Sequence, residues 1–341
     1  MRTVADKLSV PFLQRILIRN FRVLHNVEFK SLSPLTVLIG ENGSGKSTVL
    51  EVLSFLSDCF TLGLQKTWGR HGGAKGIRTL GKKGPIAIEI ECKMLDYDSI
   101  TYHLSIDEEN KRPIVIEEWI ESRSESAGSP FRFLEHRAGK VKVIRYVEGD
   151  DAIKSTEIQL RGPGLVAASV LGHFEAYPQI AALRDFIMGW KIMSSVRKLQ
   201  NSSNIATSIQ SPILNSFASL GLNPLNFEYV SHNGALPSLI CIEEPAISVY
   251  PKLLHKMVEE FRNATSHTQF IITTQSPLFL NALRPEEVWV LYRNENGYAE
   301  VRRVDDIPHV MNFIKSGGLI GDLWLEGYLN ITYSDKISTL R

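Results

Sequence analysis

The apolar positions along the chain fall into blocks of two different periods. The unbroken run Leu35–Ile39 suits a strand buried on both faces, and Val49, Val52, Leu53, Leu56 and Phe60 then recur at helical spacing. Upstream, Leu13 to Phe29 reads as two short strands around a turn at Arg19-Asn20-Phe21. From Ile86 the period becomes two: Ile86, Ile88, Ile90 and Cys92 alternate with Ala87, Glu89, Glu91 and Lys93. Ile100, Tyr102, Leu104 and Ile106 repeat that alternation, as do parts of 114–120 and 131–147. These stretches predict half-buried antiparallel strands, with a polar loop over 122–130. From about Leu165 the pattern turns helical, and Ile180, Leu183, Phe186, Ile187 and Trp190 form one apolar face after Pro178. Residues 201–219 are rich in Ser and Asn, with Pro212 interrupting. Order returns with a buried strand over 239–242 and a helix marked by Leu253, Leu254, Met257, Val258 and Phe261. Strands over Gln269–Thr273 and 287–292 follow, with 298–304 as a hairpin partner. Strand–helix–strand alternation of this kind predicts an α/β fold whose main sheet is largely parallel and flanked by helices.

Between the first buried strand and its helix stands Gly40-Glu41-Asn42-Gly43-Ser44-Gly45-Lys46-Ser47-Thr48, a complete phosphate-binding pattern. Gly40, Gly43 and Gly45 permit a tight turn whose backbone N–H groups point inward at an anion. Lys46 adds a positive charge for β- and γ-phosphates, and Ser47 offers a hydroxyl to Mg²⁺. The helix that starts here also turns its positive dipole end to the same place. ATP with Mg²⁺ is therefore the expected ligand.

The strand over 239–242 runs directly into Glu243-Glu244-Pro245. In phosphate-loop enzymes a neighbouring parallel strand delivers a carboxylate to the Mg²⁺ shell. A second adjacent carboxylate orients or deprotonates the attacking water. The alternative for these two acids is a solvated turn closed by proline. Further on, Thr273-Thr274-Gln275-Ser276-Pro277 puts polar side chains at another strand end. Gln275 is placed either to contact the γ-phosphate or water, or to form a helix-capping turn before Pro277.

The chain has 341 residues and a net charge of +1, so it is long enough for two domains and its overall charge points to no polyanion partner. Cys59, Cys92 and Cys241 lie far apart, a spacing that suits neither a disulfide framework nor a zinc site and fits a reducing cytosol. The opening residues have no signal-like apolar core, and no stretch approaches the roughly 18 apolar residues of a membrane span. The expectation is a cytoplasmic protein without a membrane partner.

Taken in order, Arg19-Asn20-Phe21-Arg22, the phosphate loop, Ile242-Glu243-Glu244-Pro245 and Thr273-Thr274-Gln275-Ser276-Pro277 resemble the ABC-type ATPase heads of the RecF/SMC class. Within that class they are similar to stand-alone bacterial ATPases of the AAA_21 type. The tail from Ala282-Leu283-Arg284-Pro285 to Gly321-Asp322-Leu323-Trp324, and the segment 183–190, are similar to the same group. The resemblance covers about 13–195 and 225–327. It implies a P-loop NTPase of ABC-ATPase head type: a mixed sheet with an inserted antiparallel β-subdomain, plus a helical lobe. On this reading 1–164 and 236–341 form the nucleotide-binding lobe, and 165–235 a shortened helical lobe. The resemblance further implies a homodimer or higher oligomer that pairs head-to-head on ATP, and work on or near DNA in repair or phage defence. It implies Gly40 to Thr48 as the phosphate and Mg²⁺ cradle, Glu243 in the magnesium shell, Glu244 as catalytic base and Gln275 at the switch position.

Some positions depart from that pattern. Ala246 stands where a third acid is usual, and Gln275 where His is usual, so the switch residue cannot take up a proton. The signature segment, normally a Ser-Asp-Gly-Thr run opening a helix, is nearly absent, because Tyr229-Val230-Ser231 leads straight to His232-Asn233-Gly234. Either it has been lost, or a stretch is missing between Ser231 and His232. These departures keep a second function open: a degenerate, non-hydrolysing module that binds nucleotide and scaffolds or restrains a partner effector. A transporter ATPase is disfavoured by the long separation of Lys46 from Glu243 and by the lack of a Ser-Gly-Gly signature. The chain ends too soon after Pro277 for a Toprim nuclease, so a nuclease or toxin is expected on a separate effector chain. Finally, Lys66, Arg70, Lys75, Arg78, Lys82 and Lys83 crowd a glycine-rich stretch without an acid. It is either a flexible solvated loop or a track for a phosphate backbone.

Overall fold

The computed structural model describes residues 10–95, 99–123, 130–147, 150–193 and 237–329. They divide into two compact units. One takes Leu32–Leu50 and the described part of Trp190–Arg341; the other takes Pro11–Ser31 and the described part of Glu51–Gly189.

The first unit is built on a six-stranded sheet. Its strands are β3 (Leu35–Ile39), β10 (Lys191–Met193), β11 (Leu239–Glu243), β12 (Gln269–Thr273), β13 (Val288–Arg293) and β14 (Ala299–Arg303). Their spatial order is β10-β11-β12-β3-β13-β14, parallel throughout except for the hairpin of β13 with β14. All five residues of β3 and of β12 are buried, which is why both read as unbroken apolar runs rather than alternating ones. Between β11 and β12 runs the helix Leu254–Ala264, which buries Leu254, Met257, Val258 and Phe261 at i, i+3, i+4 and i+7. Phe261 meets Phe270 of β12 edge-on, with ring centroids 5.0 Å apart. Burying a side chain of that size is worth roughly 1.5–3 kcal/mol. The short strand β10 carries no alternation or apolar run that sets it apart in the sequence; pairing with β11 alone defines it.

The second unit holds an eight-stranded antiparallel sheet in the order β2-β1-β4-β5-β6-β7-β8-β9. These strands are β1 (Phe12–Phe21), β2 (Leu24–Phe29), β4 (Ile86–Lys93), β5 (Ser99–Glu109), β6 (Arg112–Arg123), β7 (Phe131–Arg137), β8 (Lys140–Val147) and β9 (Asp150–Gln159). The expected alternation is present: Ile86, Ile88, Ile90 and Cys92 of β4 are fully buried. Helix α1 (Lys46–Thr61) starts in the first unit and continues into the second, where Phe60 packs edge-on against Tyr102 of β5 at 5.6 Å. The hairpin turn expected at Arg19-Asn20-Phe21 lies further on, because β1 runs to Phe21 and pairs Phe21 with Leu24. Asn20 takes a left-handed φ of 61° inside the strand, and its amide donates to the carbonyls of Gly84 at 2.9 Å and Pro85 at 3.2 Å. Asn tolerates that conformation better than most residues, so it mimicked a turn.

The basic stretch is also corrected. Its first part forms two short helices, α2 (Leu64–Arg70) and α3 (Gly73–Ile77), whereas Arg78, Lys82 and Lys83 follow in non-helical chain before β4. Leu64, Thr67 and Trp68 are buried, and Trp68 Nε1 donates to Glu108 Oε2 at 2.8 Å. The glycines that suggested a loop join the helices: Gly72 and Gly73 have φ of 81° and 67°. Of the expected helical lobe, α4 (Ala167–Leu171) and α5 (Pro178–Met188) are described. Residues 194–236, including the join at Ser231 and His232, and most of the polar loop over 122–130 lie outside the described residues.

A buried carboxylate ties α4 to the antiparallel sheet. Glu118 is fully buried, and it accepts from Tyr102 Oη at 3.0 Å, Ala167 N at 2.6 Å and Ala168 N at 2.9 Å. His136 Nδ1 lies 3.0 Å from its Oε2. Buried polar groups are tolerated when bonded and costly when orphaned. Glu118→Ala, which strands these donors and leaves a cavity, is expected to destabilise the chain by at least about 3 kcal/mol. Denaturant unfolding measures it, and a change under about 1 kcal/mol would contradict the role given to this network.

Candidate functional site

The parallel register of the first unit decides the site. Glu243 pairs with Thr273, and Thr273 with Leu38, so β11, β12 and β3 finish level. The peptides that follow are Glu244, Thr274 and Gly40. Backbone bonds lock the junctions: Thr274 N donates to Leu38 O at 3.1 Å, and Glu244 N to Thr273 O at 2.9 Å.

The loop after β3 has the backbone its glycines predict. Gly40, Gly43 and Gly45 have φ of 154°, 78° and 117°. A Cβ at Gly40 would lie 2.2 Å from Leu291 O, so only glycine fits between the loop and β13. Lys46 is 7% exposed, and its ammonium donates to Gly40 O at 2.7 Å and Glu41 O at 3.1 Å. Burial pulls its pKa below the usual lysine value, while Glu244 and Glu243 act in the opposite sense. Glu41, Asn42, Gly43 and Ser47 are exposed, Ser44 and Gly45 buried, and Thr48 half-buried. Ser44 Oγ is buried with no hydrogen-bond partner among the described residues.

The two acids occupy different positions. Ser47 Oγ donates to Glu243 Oε1 at 2.5 Å, joining the loop hydroxyl to the carboxylate of β11. A hydroxyl and a carboxylate oxygen side by side are hard donors of the kind Mg²⁺ takes alongside phosphate oxygens. Glu244 has φ 49° and ψ 54°, the left-handed region, although it is not glycine and precedes a proline. Such a conformation costs on the order of 1–3 kcal/mol and persists only where surrounding bonds enforce it. Here Glu244 Oε2 accepts from Gln275 N at 3.1 Å. Burial pushes the Glu244 carboxyl above the usual carboxylate range, with the Gln275 N–H, the Lys46 ammonium and Thr274 opposing it and Glu243 adding to it.

Gln275 closes the ring of contacts. Its Nε2 donates to Asn42 Oδ1 at 2.8 Å, so the residue at the expected switch position touches both the phosphate loop and, through its backbone, Glu244. The capping alternative belongs to the next residue: Ser276 Oγ accepts from Phe279 N at 3.3 Å. Every residue singled out in the sequence for this site is thus brought to one end of the sheet. Arg293, at the end of β13, was not anticipated. Its Nε donates to Gly43 O at 2.7 Å. A lone arginine at a strand end carries no motif, and only the strand order brings it here.

Comparison with known proteins follows the same lines. Residues 35–160 and 230–281 match the AAA_21 family, whose description reads "AAA domain, putative AbiEii toxin, Type IV TA system". The chain is 24% identical over 324 residues to the Septu protein PtuA of Bacillus mycoides (strain KBAB4). That match covers 85% of this chain and 42% of PtuA, so the chain spans less than half the length of that relative. Among solved structures, it is similar to the Smc head domain with an extended coiled coil, bound to the C-terminal domain of ScpA, derived from Pyrococcus furiosus. There the TM-score is 0.53 at 9% identity, over 90% of this chain and 100% of the other. The SMC head domain from Thermotoga maritima overlaps with a TM-score of 0.44 at 12% identity, over 86% and 99% of the two chains.

Gly40→Ala tests the packing of the loop. With a Cβ forced onto Leu291 O, the loop is expected to shift and any affinity for phosphate to fall, with stability dropping by about 1–3 kcal/mol. Thermal unfolding together with a Mg²⁺·ADP titration checks both outcomes. Undiminished affinity would show that the loop tolerates the shift.

Proposed function

The chain belongs to the AAA_21 family and is an ABC-type ATPase head of the RecF/SMC class; from that premise we propose that it binds ATP with Mg²⁺ and hydrolyses it. The observation that carries the proposal is the Ser47–Glu243 hydrogen bond, which unites two segments far apart in the chain into one oxygen-lined corner beside Lys46. ATP supplies the phosphoanhydride to be broken, and Mg²⁺ neutralises its developing charge. Gly40, Gly43 and Gly45 shape the backbone cradle, with Glu41, Asn42, Ser44 and Thr48 completing it. Lys46 leaves the loop carbonyls to meet the phosphates. Ser47 and Glu243 would hold the Mg²⁺ ion. Glu244 takes the proton of the attacking water, its carboxylate held by the Gln275 N–H. Gln275 positions that water or the γ-phosphate.

The likeness to PtuA supports a setting in anti-phage defence, and the RecF/SMC class supports head-to-head dimers, with a nuclease or toxin on a separate effector chain. A second reading has one specific observation in its favour. Gln275 is bonded to Asn42 and lacks an ionisable ring, and Ala246 replaces an acid, as in a module that binds nucleotide without turnover.

One comparison of variants separates the readings. Lys46→Ala is expected to abolish nucleotide binding in calorimetry, and equal affinity would overturn the site. Glu244→Gln is expected to bind ATP but lose turnover, since an amide accepts no proton. In the unmutated chain, hydrolysis should fall as pH drops through the Glu244 pKa, with a midpoint above the usual carboxylate range, because the raised pKa keeps the base protonated there. By the same linkage, the protonated carboxyl favours the fold at low pH and ionisation costs stability as pH rises. Binding with no turnover in the unmutated chain would select the second reading.

DNA is the proposed polyanion. Lys66 and Arg70 lie on the face of α2 opposite buried Leu64, Thr67 and Trp68, with Lys75 on α3. Arg78 is excluded because it is ion-paired with Asp107. Reversing Lys66, Arg70 and Lys75 to Glu should weaken DNA binding. It should also flatten the salt dependence by about 0.9 in log–log slope for each phosphate that is no longer neutralised. Identical slopes in a filter-binding series would remove DNA from this surface.

A further inference from the structure

The carbonyls of the phosphate loop are covered by two cations from different parts of the chain. Lys46 takes Gly40 O and Glu41 O, and Arg293 takes Gly43 O at the loop's exposed tip. Arg293 is the last residue of β13, three positions beyond Val290, which pairs with Ile39 of β3. The same strand supplies Leu291 O, against which Gly40 is packed so closely that no side chain fits. β13 therefore touches the loop at its base through Leu291 and at its tip through Arg293.

The turn after β13 is built to hold the guanidinium there. Arg293 Nη1 donates to Gly297 O, and Gly297 has the left-handed φ of 77° that the turn requires. Asn294 Oδ1 accepts from Asn296 N and Tyr298 N, both at 3.0 Å, and Asn294 Nδ2 donates to Glu300 Oε1 at 2.8 Å. Glu300 in turn accepts from Tyr292 Oη at 2.9 Å. No carboxylate pairs with Arg293 among the described residues, and burial alone lowers its pKa. A cation held part-buried without a counter-ion belongs where an anion is expected.

We propose that Arg293 is a positioning residue of the nucleotide site: it fixes the Gly43 peptide with its carbonyl turned away from the anion, leaving the loop's N–H groups to face the phosphates. This rests on the nucleotide reading above. Lys46 must release its carbonyls to reach phosphate, and Arg293 then keeps the tip in shape. Because the tip cradles the phosphates shared by ADP and ATP, the effect falls on both ligands alike.

The test uses the full chain with Arg293→Ala, Arg293→Lys and Arg293→Gln, titrated with Mg²⁺·ADP and Mg²⁺·ATP, with melting midpoints taken without nucleotide. Arg293→Ala is expected to weaken both ligands about 10-fold, with their affinity ratio held within about twofold. Arg293→Lys should recover most of the loss, since it keeps a charged donor, and Arg293→Gln less. The melting midpoints of all variants should stay within about 2 °C of the unmutated chain. Affinity within twofold of the unmutated chain in Arg293→Ala overturns the proposal. So does a large fall in midpoint with no rescue by lysine, which marks the residue as scaffold. Absence of nucleotide binding in the unmutated chain overturns the nucleotide reading and this inference together; binding there with an unaffected Arg293→Ala overturns this inference alone.

Discussion

The level, parallel alignment of β11, β12 and β3 is the constraint on which the rest of the site depends. β12 lies between β11, the strand before it in the chain, and the far earlier β3, and pairs with each in register, Cys241 with Ile271 and Ile271 with Thr36. Parallel pairs across such sequence distances are entropically expensive to close. They are held by near-complete burial of all three strands and by the helix Leu254–Ala264, whose Met257, Val258 and Phe261 are fully buried. A slip of one residue would turn each strand's side chains to the other face and part Glu243 from Ser47. Core packing and site geometry are therefore the same requirement.

Charge follows from that alignment. Lys46 is buried beside Glu243 and Glu244, whose opposite charges only partly offset the burial of its ammonium. Glu244 is in the converse position, a carboxyl whose burial outweighs the cation and the Gln275 N–H that favour its ionised form. Two neighbouring acids thereby acquire different characters: one bonded to the Ser47 hydroxyl, the other with a raised pKa of the kind that suits proton transfer. The second unit applies the same rule to structure rather than chemistry, enclosing the Glu118 carboxylate among donors from β5, α4 and their neighbours.

Backbone conformation adds what charge alone does not. Gly40 is needed because Leu291 leaves no room for a side chain, whereas Gly43 stands in open space and is needed for its left-handed φ. Glu244 adopts a left-handed conformation without being glycine, and the bonds from its own N–H to β12 and from Gln275 to its carboxylate keep it there. At this end of the sheet the strained non-glycine backbone lies at the junction that follows Glu243.

The local patterns of the sequence determined much of this protein. Unbroken apolar runs identified β3, β11 and β12 because strands covered on both faces need no alternation. Alternation identified the antiparallel sheet, and the glycine–lysine–serine pattern identified the turn between β3 and α1, because these properties are carried by residues adjacent in the chain. Misread segments were those whose state depends on distant neighbours. Asn20 imitated a turn while remaining inside β1, and the glycines around α2 and α3 hid helices anchored by Trp68 and Glu108. β10 exists only through its partner β11. Tertiary structure alone decided the Ser47–Glu243 bond, the Gln275–Asn42 contact, the left-handed turn at Glu244 and the approach of Arg293 to Gly43. Each depends on which strand lies beside which, and spacing along a chain carries no record of that order.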